Sequence, residues 1–218
     1  MCGIFGLKDK NKILEATIVD EILNTMTHRG PDDSGVWLSD CKTISFAHRR
    51  LSIIDLSKNA KQPMTDPTGK YVITYNGELY NFIEIRNMLI KKGYSFNSMS
   101  DTEVILKSYM EWGYDCLKQF NGMFAFGILD FSKNTIFLGR DRAGEKPLYY
   151  LKYNDSFVFS SELKAIMKWD NKFCRLNKES FDYFLAFGYA PRNMTMLKGV
   201  KKLPPANALI YNLSTYQY

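Results

Sequence analysis

The chain has 218 residues, 45% hydrophobic and 15% aromatic, enough to bury a substantial core in one large domain or two small ones; one is expected. No segment offers the roughly 18 uninterrupted apolar residues of a membrane span. The opening MCGIFGLKDKNK lacks the basic start and small-residue cleavage site of a secretory signal, which makes the cytoplasm the expected compartment. The net charge of +6 comes from 29 Lys and Arg against 23 Asp and Glu, in short separated groups: Lys8 to Lys12, Lys91–Lys92 and Lys198 to Lys202. No aromatic platform or helix-turn-helix pattern accompanies them, so they read as solvated faces and not as a nucleic-acid surface.

Residues 2–7 predict a strand at the N-terminus. Leu14, Ile18, Ile22 and Met26 recur every fourth position and predict the buried face of a helix. Strands are expected over 35–39, 43–48 and 71–75. Phe82, Ile85, Met88 and Leu89 stand at helical spacing, with Gly93 as a stop, and predict a second amphipathic helix. A third is expected from Asp101, read as its N-cap with Glu103 in the first turn, through Val104, Ile105, Ser108 and Trp112 to Gly113. Segments 123–131, 135–142, 148–153 and 157–163, punctuated by Ser132-Lys133-Asn134 and Asn154-Asp155, predict an antiparallel meander. Helical stretches at 161–169 and 177–187 precede a tail with Pro191, Pro204 and Pro205 that reads as irregular. There is no repeat or low-complexity tract. Strands and helices in blocks, without strict alternation, favour a layered α+β fold.

Four cysteines, Cys2, Cys41, Cys116 and Cys174, lie far apart without a C-x-x-C pair, and are expected to be reduced. The two histidines, His28 and His48, have no metal-ligand spacing, so no metal is expected. Cys2 carries the sharpest chemical signal. It is small enough for Met1 to be clipped, leaving one residue with a thiol and a free α-amine, a nucleophile and its base together. An α-amine near pKa 7.7–8.0 is substantially unprotonated around neutrality, and a thiol near 8.5 needs only a modest push. The alternative is a small buried residue in strand one. Two histidines build no conventional Cys-His-Asn triad, which favours the amine.

MCGIFG, HRGPDDSG (28–35), AHRRLSIIDLS (47–57), YNGELYN (75–81), SDTEVIL (100–106), GMFAFGILD (122–130), GRDRAGEKPLYY (139–150) and SSELKAI (160–166) occur in that order. Together they resemble the glutaminase domain of class II glutamine amidotransferases, and among these the asparagine-synthetase branch, over nearly the whole chain. The resemblance implies a four-layer αββα sandwich of N-terminal-nucleophile (Ntn) hydrolase type. It implies that Cys2 attacks the side-chain amide of glutamine, with Asn76 and Gly77 as the oxyanion hole. The oxyanion needs two placed donors, and a missing Cβ at Gly77 lets the backbone approach substrate. The plain reading of Tyr75-Asn76-Gly77-Glu78 is a turn between strand and helix.

A carboxylate is best gripped by a guanidinium. Arg49 and Arg50 point to opposite faces if residues 47–53 run extended; the resemblance selects Arg50 for substrate, with Leu51, Ser52 and Ile53 along the same edge. It assigns Glu78 and Asp101 to the substrate ammonium, although a helix N-cap already accounts for Asp101. His28, Arg29 and His48 read as ordering groups.

The implied function is hydrolysis of L-glutamine to glutamate and ammonia, delivered to an ATP-dependent synthetase domain, with aspartate as the default acceptor. A non-catalytic glutamine-binding module and a glutaminase serving another carboxylate stay open. Asparagine synthetases continue into a domain with an S-G-G-x-D-S phosphate loop, which these residues do not contain. The expectation is therefore one amidotransferase domain over 1–218, with about 204–218 the start of a linker, and a synthetase domain downstream or on a separate chain docking near an apolar tail at 187–210. No cofactor is expected here; ATP and Mg belong to the synthetase domain. A homodimer is left open.

Overall fold

The computed structural model describes residues 1–10, 13–55 and 57–218; Lys12 of the first basic group and Leu56 of the 47–57 motif lie outside them. Eleven strands form two antiparallel sheets among these residues. The first holds β1 (Gly3–Lys8), β2 (Asp33–Leu38), β3 (Ile44–Arg50), β8 (Tyr149–Tyr153), β9 (Ser156–Ser160) and β10 (Lys201–Lys202), in the order β10-β8-β9-β1-β3-β2. The second holds β4 (Met64–Thr65), β5 (Tyr71–Leu79), β6 (Gly122–Asp130), β7 (Thr135–Arg140) and β11 (Ala208–Asn212), in the order β11-β7-β6-β5-β4.

Side-chain alternation produces the layers. Ile4, Phe46, Val72, Ala125, Leu129, Ile136, Leu138, Phe157 and Phe159 meet between the sheets. Their sequence neighbours face outward. Phe5, Leu7, Ala47 and Val158 pack under α1 (Ala16–Asn24) and α4 (Leu163–Trp169). Ile73, Phe124, Phe126 and Ile128 pack under α2 (Phe82–Lys91) and α3 (Asp101–Trp112). A fifth helix, α5 (Lys178–Phe187), follows. Each buried aromatic is worth about 1.5–3 kcal/mol of transfer free energy, so the three apolar layers hold the sandwich together. Phe159 keys the two sheets: a Cβ on Gly6 of β1 would lie 2.1 Å from its ring, and one on Gly127 of β6 2.4 Å.

Several expectations need correction. The buried face of α1 is Val19, Ile22 and Leu23, continued by Met26, while Ile18 is 51% exposed. A strict every-fourth row drifts by about 40° per step on a 3.6-residue helix, so it cannot stay on one face. The second helix likewise buries Ile85 and Leu89 and leaves Met88 exposed. The N-cap of α3 is Ser100, whose side chain accepts from Thr102 N, and Asp101 is the first helical residue. The four segments of 123–163 are no single meander: β6 and β7 belong to one sheet, β8 and β9 to the other. The crossing between them is stapled by Asp141, which accepts from the backbone N–H of Phe124, Glu145 and Lys146. Arg140 donates to the carbonyls of Gly144, Lys146 and Leu203. The irregular tail contains β11, where Tyr211 is fully buried and stacks on Phe157 with centroids 4.2 Å apart. Lys8 is buried and donates to Thr43 Oγ1, whereas Lys91, Lys92, Lys198 and Lys201 face solvent. No described helix is long and apolar enough to cross a membrane.

Candidate active site

Alternation along three strands converges at one end of the inter-sheet layer. Cys2 stands on the Ile4 side of β1, His48 and Arg50 on the Phe46 side of β3, and Asn76 and Glu78 on the Val72 side of β5. The layer therefore turns from apolar to polar. Two bonds between the sheets close its floor: Thr74 Oγ1 donates to Ala47 O at 3.0 Å, and His48 Nε2 donates to Tyr75 O at 3.0 Å. Beyond lies a cavity of about 290 Å³. That is near the small end of ligand pockets, about 300–1,000 Å³, and suits a metabolite of amino-acid size. Cys2, Arg50, Leu51, Ile53, Asn76, Gly77, Glu78 and Asp101 all line it. Ser52 does not, and its N–H donates to Asp32 Oδ2.

The Cys2 thiol exchanges hydrogen bonds with Leu51, whose N–H lies 3.4 Å and whose carbonyl 3.7 Å from Sγ. Burial pushes the thiol pKa up, and the Leu51 N–H and the positive charges of the N-terminus and Arg50 only partly offset it. The thiol is thus protonated at neutral pH, and attack requires a base. His48 cannot serve. Burial lowers its pKa to about 3, and the Nε2 proton is held by the Tyr75 carbonyl. His28 is bound to Glu162 at 2.7 Å. Met1, 55% exposed, also lines the cavity and occupies the Cys2 nitrogen as an amide.

Asn76 and Gly77 lie within β5, opposite Ala125 and Phe124 of β6, so the turn expected from Asn-Gly does not form. Strand pairing with Gly122–Asp130 overrides the local preference. A Cβ on Gly77 would sit 2.2 Å from Met123 O and 2.7 Å from Phe124 Cα, so close strand approach demands glycine here. The Asn76 side chain is fully buried, and its Nδ2 has no hydrogen-bond partner among the described residues. An unmet buried donor costs about 1–3 kcal/mol. Lining the cavity, it is a donor waiting for an acceptor.

Arg50 and Arg49 do diverge. Arg49 reaches back to Asn24 and Thr27 beside α1. Arg50 is buried at the cavity wall and donates to the carbonyls of Asp55 and Ser57, fixing the loop that carries Leu51 and Ile53. Two contacts do not exhaust a guanidinium's five donors. Asp101, freed from capping, accepts from Leu79 N at 3.0 Å and from Tyr75 Oη at 2.8 Å on the same oxygen. Burial raises its pKa against those bonds. Glu78 lies half-buried on the same wall.

Three site residues escaped sequence reasoning. Gln62 accepts from Tyr75 N at 2.7 Å and donates to Thr102 Oγ1 at 3.1 Å, tying the β5 wall to α3. Lys146 lines the cavity from the stapled crossing, inside the GRDRAGEKPLYY motif that was its only signal. Arg29, by contrast, is expected as an ordering group around Cys2, and it donates through Nε to Cys2 O at 2.8 Å. Gln62 gave no signal and Thr102 only its place in SDTEVIL, since loop and helix polar residues acquire roles through the contact the fold makes.

A two-sheet sandwich covered by helices on both outer faces, with a cysteine heading an interior strand beside a cavity, defines the N-terminal-nucleophile class of fold. Two solved structures share it: glutamine phosphoribosylpyrophosphate amidotransferase from B. subtilis (TM-score 0.67, 19% identity) and an allosteric regulatory enzyme of purine biosynthesis (TM-score 0.70, 18% identity). Each match covers 97% of this chain and 47% of the other. Residues 1–217 match the glutamine amidotransferase domain family, and the chain belongs to it. Among its curated relatives, the glutamine-hydrolysing asparagine synthetase 3 of Bacillus subtilis is 40% identical over 217 residues, covering 97% of this chain and 35% of that protein. Asparagine synthetase 1 of the same organism is 37% identical, covering 95% and 33% respectively. Asparagine synthetase B of Escherichia coli is 39% identical over 82% of this chain and 31% of its own length. The chain thus spans about a third of the length of these relatives.

Proposed function

We propose that this domain hydrolyses L-glutamine, with Cys2 as nucleophile once Met1 is removed. The observation that carries the reading is the unmet Asn76 Nδ2 donor in the cavity headed by Cys2. The thiol gives its proton to the α-amine of residue 2, and sulfur bonds to the side-chain carbonyl carbon. Negative charge on the carbonyl oxygen is received by Asn76 and the Gly77 N–H. The C–N bond breaks, ammonia leaves with the proton from the amine, and a thioester remains. Water attacks it, releasing glutamate and restoring the thiol. Arg50 holds the substrate carboxylate, Leu51 and Ile53 frame it, and Glu78 and Asp101 receive the ammonium. Cys2, Asn76 and Gly77 supply nucleophile, base and donors, so this half-reaction needs no cofactor.

The ammonia serves an ATP- and magnesium-dependent synthetase region, with aspartate as the acceptor favoured by the asparagine-synthetase relatives. The exposed Leu185, Phe187 and Tyr189 at the end of α5 support a covering surface there, and the length of the relatives beyond the matched third makes that region its occupant. A reducing compartment, the cytoplasm, suits a reaction that needs Cys2 as a free thiol. The test is a coupled glutamate assay on Met1-free protein. Parent chain should turn over glutamine, and Cys2→Ala should bind it without releasing ammonia. Retained turnover in Cys2→Ala would sink the proposal. Binding without turnover in the parent would favour a glutamine sensor.

A further inference from the structure

The SSELKAI motif takes no part in glutamine chemistry as described, yet it is wired into the strand of the nucleophile. Ile4 N donates to Ser161 Oγ at 3.0 Å, and Ile4 O accepts from Ser161 N at 3.0 Å and from Ser160 Oγ at 3.2 Å. These bonds clamp the residue two places after Cys2. The next motif residue, Glu162, accepts from Arg29 Nη1 at 3.2 Å, and Arg29 Nε donates to Cys2 O at 2.8 Å. The Arg29 side chain is only 8% exposed. His28 Nε2, at 2.7 Å, shares the Glu162 oxygen held by Arg29, and Lys164 Nζ, at 3.2 Å, takes the other.

We propose that Glu162 is a positioning residue for Cys2, acting through Arg29; this rests on the reading of Cys2 as glutaminase nucleophile. A residue that begins a chain is held by no preceding peptide. Its side chain must stay free to react, and its amine must stay free to move a proton. The carbonyl is the handle that remains, and Arg29 grips it. Rotation about the Cα–C bond of residue 2 swings amine and thiol together relative to the cavity, so fixing the carbonyl fixes the line of attack. Glu162 keeps the guanidinium in the plane that reaches Cys2 O, a task suited to a fork with donors on two edges.

The test compares Met1-free parent, Glu162→Ala and Glu162→Gln for steady-state glutamate formation and thermal midpoint. Misplacement of a nucleophile by a fraction of an ångström predicts that Glu162→Ala lowers kcat by about 10–100-fold while KM for glutamine stays within about threefold. Glu162→Gln, which keeps an acceptor oxygen for Arg29, should recover most of the rate at an unchanged midpoint. If the alanine variant does not fold, Arg29→Lys carries the same comparison, because an ammonium cannot span Cys2 O and Glu162 as a fork does. A kcat within about twofold of parent, or kcat and KM both worsening without rescue by Glu162→Gln, overturns the proposal. Iodoacetamide labelling of Cys2, read by peptide mass, separates the two proposals. If the parent makes no glutamate, the glutaminase reading has failed. Slower Cys2 labelling in Glu162→Ala still supports the positioning role, and equal labelling rates overturn it.

Discussion

Replacing Asn76 by Ala sets activity and stability against each other. The Nδ2 donor is buried and unpartnered, so the folded protein carries a desolvation cost of about 1–3 kcal/mol that the variant removes. Little packing is lost in return, because the side chain borders a cavity already present. The net expectation is an unfolding free energy unchanged or raised by about 1 kcal/mol. The chemical step should suffer in the opposite sense, since losing one oxyanion donor costs about 10²–10³ in kcat, or about 2.7–4 kcal/mol of transition-state stabilisation. KM should barely move, because the donor meets its full charge only in the transition state. Glutamate release and urea unfolding, measured on the same preparations, check both halves. Asn76→Asp separates shape from donor: it keeps the size, lacks the N–H, and should be at least as inactive. A kcat within about tenfold of parent, or destabilisation beyond about 2 kcal/mol, would refute the reasoning, for Nδ2 would then be a structural donor.

Two further predictions follow from groups on the neighbouring strand. Arg50→Lys should raise KM for glutamine by about tenfold or more, since an ammonium replaces a fork, whereas Arg49→Lys, on the α1 side, should leave KM unaltered; equal effects would contradict the divergence of the two side chains. His48 has a folded pKa near 3 against about 6.5 unfolded, so the unfolded state binds the extra proton between those values. Its contribution to stability is complete above about pH 6.5 and is lost as pH falls towards 3, at about 1.4 kcal/mol per pH unit. The stability advantage of parent over His48→Gln should therefore shrink from pH 7 to pH 4 in urea titrations; a constant difference would count against a neutral buried imidazole.

Much of the architecture could be read from residue patterns, because alternation marks strands and Gly113 and Gly93 mark helix ends. The pairing of those strands could not. Segments 135–142 and 148–153 read alike, yet the second lies in the other sheet, beyond the crossing stapled by Arg140 and Asp141. At the site, the motifs brought eight of the nine expected residues to one cavity, with Ser52 turned to Asp32 instead. The local environments were less legible. Asn76-Gly77 has turn chemistry by composition and strand geometry by pairing, and Asp101 has the chemistry of a cap while Ser100 does the capping. In each case a contact distant in sequence overrode a preference that is real but worth only about 1 kcal/mol.

The place of β1 inside its sheet bears on how the proposed nucleophile would be uncovered. Phe5 pairs with Ala47 on one side and Ser160 on the other, so β1, made before β3 and β9, is enclosed only after β9 has emerged. At about 5–20 residues per second, some 160 residues take roughly 8–30 s to appear. Through that interval β1 lacks its second neighbour, and an N-terminal Met1 would be open to an aminopeptidase. Once β9 docks and Arg29 holds the Cys2 carbonyl, an uncut Met1 stays beside the cavity, about half of it covered. If Cys2 acts as proposed, its exposure is a race between trimming and folding, and the sheet order gives trimming the head start.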